Sequence, residues 1–152
     1  MYLRLTIFIL INFAALGIGS IFTGSGVPSD WYQNLSKAPW TPPGWVFGAA
    51  WTLIMICFAF YMSHAWQSVS NRRLLIFLFI IQWILNVLWN PVFFKYHQVL
   101  LGLVLISALT ILVAWFLFSN LNNLKYWSLL VLPYFIWLLI ATSLNAFILI
   151  KN

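Results

Sequence analysis

Five apolar stretches, each about 20 residues long, alternate with short polar interruptions from one end of the chain to the other. A run of that length matches the roughly 30 Å hydrocarbon core of a bilayer when wound as one α-helix. Inside lipid a backbone N–H or C=O has no water to bond, so a spanning segment must satisfy its own groups as a helix. The pattern therefore predicts spans over 5–22, 44–66, 74–94, 99–118 and 126–150. The expected fold class is an all-α integral membrane protein, a single domain over 1–152 built as a bundle of five transmembrane helices.

The interruptions sharpen this picture. The longest, Thr23 to Pro43, is rich in Gly, Pro and Ser and reads as an irregular loop, because its prolines stop any long helix. Thr41 is placed to cap the second helix, with Pro42 and Pro43 tolerated in its first turn. Gln67 to Arg73, Lys95 to Gln98 and the Asn-rich Ser119 to Lys125 read as short turns. Pro133 is expected to kink the fifth span. Arg4 ahead of the first apolar run resembles a signal peptide, but no clear small-residue cleavage site follows, so cleavage is not expected.

Composition agrees. Of 152 residues, 64% are hydrophobic and 5% charged, where a soluble domain carries about 25% charged residues. The net charge of +6 comes from seven Lys and Arg set against a single acid, Asp30. These cations are scattered near the predicted span ends, which suits anionic lipid headgroups. Nucleic-acid binding needs a clustered basic face and is not expected. Arg4, Arg72, Arg73 and Lys125 fall on the N-terminal side and Lys37, Lys95 and Lys151 on the other, a bias toward an N-terminus-inside orientation. The single cysteine, Cys57, excludes an internal disulfide.

The candidate chemistry lies on three helix faces. On the third span Gln82, Asn86, Trp89, Asn90 and Phe93 are spaced i, i+4, i+7, i+8 and i+11, so they share one side. Amides in hydrocarbon need partners, so this side faces inward. It serves either for interhelical hydrogen bonding alone or as the polar wall of a ligand pocket. On the fifth span Trp137, Ala141, Leu144 and Asn145 repeat the spacing. A small residue one turn from an indole leaves a slot beside a flat ring, or simply packs. On the second span Trp51, Met55, Phe58 and Met62 form a face that reads as core taken singly, and as the side of an aromatic box taken with the others.

Other classes are poorly served. His64 and His97 fall on opposite membrane sides and cannot share a metal, so no metal site is expected. One acid cannot supply a carboxylate pair, no Gly-rich phosphate loop precedes a helix, and the spans carry none of the acids a proton-coupled pump would use.

Three segments taken together resemble the TspO/MBR family, the tryptophan-rich sensory proteins and the translocator protein or peripheral benzodiazepine receptor. They are Trp31-Tyr32-x-x-Leu35-x-Lys37-x-Pro39-Trp40-x-Pro42-Pro43 followed by Trp45 and Trp51, then Gln82-x-x-x-Asn86-x-x-Trp89-x-Pro91-x-Phe93-Phe94, and Pro133-Tyr134-x-x-Trp137-x-x-x-Ala141-Thr142-x-Leu144-Asn145. The resemblance covers about residues 31 to 145 in order. It implies a five-helix bundle, usually a homodimer, with a pocket beneath the first loop. Family members bind tetrapyrroles such as protoporphyrin IX, and several bind sterols or synthetic apolar drugs. By motif match, Trp51, Asn86, Trp89, Phe94, Trp137, Ala141 and Leu144 fall on pocket positions, and Trp31, Tyr32, Trp40, Pro42 and Pro43 on a lid loop. Gln82 and Phe93 join the ligand-binding set from the helical spacing.

The chain departs from the family pattern at Leu101, where a Trp is frequent, and at Phe147, where the animal sterol motif needs a Tyr. The expected partners are a tetrapyrrole (porphyrin or haem) or another apolar small molecule, the lipid bilayer and a second copy, with no cofactor required. The expected role is porphyrin handling, transport or stress sensing. The alternatives are a light- and oxygen-dependent porphyrin-degrading enzyme, with Trp51 and Trp137 positioning the ring, and a structural membrane subunit. The expected location is a bacterial plasma membrane, or the outer mitochondrial membrane for a eukaryotic chain.

Overall fold

The computed structural model describes residues 2–152. Five of its helical stretches are long and apolar enough to cross a membrane, as the hydrophobic pattern predicts. The first, α1 (Tyr2–Gly26), runs past the expected end at residue 22. Thr23 and Ser25 return their hydroxyls to the carbonyls of Gly19 (3.2 Å) and Ile21 (3.1 Å), so these polar residues continue the helix until Pro28. A short helix, α2 (Asp30–Asn34), interrupts the loop read as irregular; the Ser29 hydroxyl caps it by accepting from the Tyr32 N–H.

The second span, α3 (Gly44–Ser68), corrects the expected cap. Thr41 does not cap it: its hydroxyl donates to the Ala38 carbonyl at 2.7 Å, and Pro43 occupies the cap position with ψ 148°. Pro43 disfavours helical geometry at Pro42, so the helix can begin only after the pair. The third span, α4 (Arg72–Asn90), is capped by the Asn71 side chain and continues as a π-helical turn over Pro91–Lys95. That wide turn starts at a proline, which cannot donate to the α ladder. It lets the adjacent Phe93 and Phe94 both point inward.

The fourth span, α5 (Val99–Ser119), leads through a one-turn helix, α6 (Leu121–Leu124), within the segment read as a turn. Lys125 then takes a positive φ of 47°, and the chain winds as a 3₁₀-helix over Lys125–Val131 before α7 (Leu132–Lys151). Pro133 therefore makes no kink inside a continuous α-helix. It sits in the first turn of α7, where its missing N–H is not needed, and the change of helix type lies just before it.

The spans close a ring in the order α1, α3, α7, α5, α4. The half of the bundle near the α3–α4 turn is solid. Phe58 lies 5.5 Å from both Phe116 and Tyr134, and the Tyr61 hydroxyl donates to the Phe116 carbonyl at 2.8 Å. Close helix approach rests on small residues at two points of α1. A Cβ added at Gly19 would meet Asn90 at 2.9 Å, and one at Gly26 would meet Phe94 at 2.5 Å. The opposite half, beneath the α1–α3 loop, is hollow.

Candidate functional site

The hollow is a cavity of about 550 Å³, within the size range of small-molecule pockets. Each of the five spans contributes to its wall. Trp51 and Met55 come from α3, while Phe58 and Met62, their partners in the predicted face, belong to the solid core. Asn86, Trp89, Phe93 and Phe94 come from α4 and its π turn, and Trp137, Ala141, Leu144 and Asn145 from α7. Apart from one residue, the faces read from helical spacing on spans three and five thus meet around one hollow.

Gln82 is the exception on α4. It is buried two turns away from Trp89 and donates to the Tyr134 hydroxyl at 2.7 Å, so it ties α4 to α7 and does not line the cavity. The remaining amides divide their roles. Asn145 accepts from the Trp89 indole N–H at 3.2 Å and donates to the Val99 carbonyl at 2.9 Å, which holds the indole in place. Asn90 turns back to the Asn86 carbonyl at 3.0 Å. The rings are held by one another: Trp89 stacks on Phe93 at 5.2 Å, Trp51 meets Tyr134 edge-on at 5.8 Å, and Trp137 meets Phe47 edge-on at 5.2 Å. The Trp137 indole N–H is buried without a partner.

The roof is α2 with the strap that follows it. Trp31 stacks on His97 at 4.0 Å and touches Phe93 edge-on at 5.5 Å, while Tyr32 packs against Phe94 at 5.5 Å. The short helix is thereby seated on the π turn, and His97 holds a positive φ of 55° at that seat. Burial raises the Tyr32 phenol above its ordinary value of 10. Farther along, the Ser36 N–H donates to the Asn152 side-chain oxygen at 2.8 Å, and the Asn152 amide returns to the Ser36 carbonyl at 3.3 Å. Trp40 donates to the Ser143 hydroxyl at 3.1 Å and lies edge-on against Phe147.

Of the five residues read as the lid, only Tyr32 and Pro42 reach the cavity. Trp31 and Trp40 anchor the lid to the π turn and to the outside of α7, and Pro43 begins α3. Leu101, the departure from the family pattern, is 48% exposed on the outside of the bundle. His64 lies at the far end, stacked on Trp127 at 4.2 Å.

Several wall residues carried no periodic signal. Lys37 lines the cavity from the strap, and Ile106 from α5. Gly44 and Gly48 on α3, whose i, i+4 spacing reads as a helix-contact motif, instead border open space: a Cβ at either would meet nothing within 4 Å. With Ser20 and Gly24 of α1 they are both exposed and cavity-lining, so the cavity opens sideways between the loop-side ends of α1 and α3.

The sequence profile of the TspO/MBR family matches residues 7–150. The chain is 38% identical to the tryptophan-rich protein TspO of Archaeoglobus fulgidus over 151 residues, 99% of this chain and 97% of that one. It is 34% identical to the tryptophan-rich sensory protein of Cereibacter sphaeroides over 118 residues, 78% of this chain and 74% of that one. It is 32% identical to the human translocator protein over 138 residues, 84% and 78% of the two chains.

Proposed function

The chain belongs to the TspO/MBR family, and we propose that this multi-pass membrane protein binds tetrapyrroles such as protoporphyrin IX in the cavity beneath its first loop. The observation that carries the reading is the convergence of three indoles, Trp51, Trp89 and Trp137, with the amide of Asn86 on one hollow. A planar apolar ring loses little by leaving lipid for such a slot, and its faces gain aromatic contacts. Asn86 offers a polar edge inside an otherwise apolar wall. Relatives named as a tryptophan-rich sensory protein and as a translocator protein support a role in sensing or in movement across a membrane; on this reading the molecule concerned is a porphyrin and the membrane a plasma membrane of bacterial type.

The test is titration of protoporphyrin IX into detergent-solubilised protein, read by quenching of tryptophan fluorescence. The Trp51→Ala, Trp137→Ala double variant should bind about tenfold or more weakly, since each aromatic contact is worth roughly 0.5–1.5 kcal/mol beyond its area. Circular dichroism establishes that the variant keeps its helices. Equal affinity in a folded double variant would remove this cavity as the binding site.

A further inference from the structure

We propose that the seven residues Lys125–Val131 form a winding switch: they alternate between the 3₁₀ form and an α-helical form, and an occupied cavity selects the 3₁₀ form, so that binding is reported at the end of the bundle opposite the lid. The inference rests on the reading of the cavity as a tetrapyrrole pocket and adds its regulation.

The 3₁₀ form is strained at its start and unsatisfied along its length. Such helices seldom exceed about four residues, because their hydrogen bonds are poorly aligned. This one runs for seven. Lys125, at its head, has φ 47° and ψ −118°, the geometry of the first central position of a type II′ turn, where glycine is the usual residue. A side chain with a Cβ makes that backbone costly. Among the described residues, the hydroxyls of Ser128 in the segment and of Ser63 on α3, which packs against it, are buried without a partner. Only Ser128 and Val131 of the segment are buried, so little packing resists a change of winding.

An α-helical form relieves Lys125 and Ser128. Lys125 would return to an ordinary helical φ. The Ser128 hydroxyl would come within reach of the Leu124 carbonyl, the i−4 bond that Thr52 and Thr110 make at 2.8 and 2.7 Å. What holds the 3₁₀ form is its continuation into α7. Tyr134, in the first turn of α7, accepts from Gln82 at 2.7 Å and meets the Trp51 ring edge-on at 5.8 Å, and Trp137 follows one turn later on the cavity wall. A guest lying on Trp51 and Trp137 braces that turn, and with it the winding that leads into it. The state is visible at the other end, where Trp127 stacks on His64 at 4.2 Å. Residues advance by about 100° in an α-helix and about 120° in a 3₁₀-helix, so rewinding back from α7 swings Trp127 by roughly 100°, off the His64 ring.

The experiment follows the His64 ring by NMR in detergent-solubilised protein labelled at its two histidines. His97→Gln assigns the signals, and Trp127→Leu marks the unstacked position. In the ligand-free wild type, relaxation dispersion should show His64 exchanging between stacked and unstacked positions on the μs–ms scale. Lys125→Gly removes the strain and Ser128→Ala the orphaned hydroxyl, so either should reduce the unstacked population about tenfold. Lys125→Ala loses the charge but keeps the strain, and should behave as the wild type. Saturating protoporphyrin IX should act as Lys125→Gly does. The two segment variants act separately, so misfolding of one leaves the other to decide. A single His64 position in the ligand-free wild type, or equal effects of Lys125→Ala and Lys125→Gly, overturns the switch. Tryptophan quenching that saturates while His64 exchange stays as in the free protein overturns the reporting role and leaves the pocket reading standing. No quenching at all overturns the pocket reading and this inference with it.

Discussion

Gln82 and Tyr134 share a hydrogen bond of 2.7 Å inside the bundle, with Gln82 2% and Tyr134 1% exposed. The bond crosses from α4 to α7, and the Gln82 carbonyl oxygen has no partner of its own. Tyr134→Phe would leave the whole amide unsatisfied. It should destabilise the protein by about 1–3 kcal/mol, more than the bond itself contributes, because an orphaned buried amide keeps its desolvation cost. The Gln82→Leu, Tyr134→Phe double variant should recover most of that loss. Thermal unfolding in one detergent checks both. A double variant less stable than Tyr134→Phe alone would contradict the account.

Gly26 and Gly48 separate packing from opening. Gly26→Ala would drive its Cβ to 2.5 Å from the Phe94 ring, and repacking should cost about 1–3 kcal/mol. Gly48→Ala meets nothing within 4 Å and should leave stability unchanged or raise it by up to about 1 kcal/mol through helix propensity. Gly48→Leu should keep the unfolding midpoint while slowing porphyrin association, because its side chain fills the gap between α1 and α3. Stopped-flow fluorescence reads that rate.

The lid carries a pH signature through Tyr32. Its phenol is raised above 10 by burial in the folded protein, so the folded form holds this proton more tightly than the unfolded chain. The contribution is complete below pH 10 and is lost as the pH climbs from there through the folded value. Wild-type midpoints should therefore fall relative to those of Tyr32→Phe only above about pH 10. Parallel curves through that range would contradict the burial of this side chain under the roof.

The sequence made the spans legible because hydrocarbon imposes a length and an apolar composition that few other environments demand. The inward faces of α4 and α7 were legible too, since amides and indoles at helical spacing cannot point at lipid without cost. Gln82 shows where periodicity stops. It lies on the same side as Asn86 and Trp89, yet depth along the helix decides that it meets Tyr134 instead of the cavity. Thr41 and Pro133 misled for a local reason: each was assigned from a preference for helix starts or kinks, and the neighbouring backbone decided otherwise. Lys37 was invisible as a wall residue because a strap has no period, and Gly44 and Gly48 looked like contact motifs because small residues serve close packing and open space equally well.

The glycine-edged gap between α1 and α3 changes what concentration means for this protein. A guest passing through it comes from the membrane, so its rate of arrival is set by how much has dissolved per lipid, and not by how much was added per volume of buffer. Doubling the detergent or lipid at fixed guest and protein should then slow association in proportion, while rates expressed per mole fraction of guest in the apolar phase stay level.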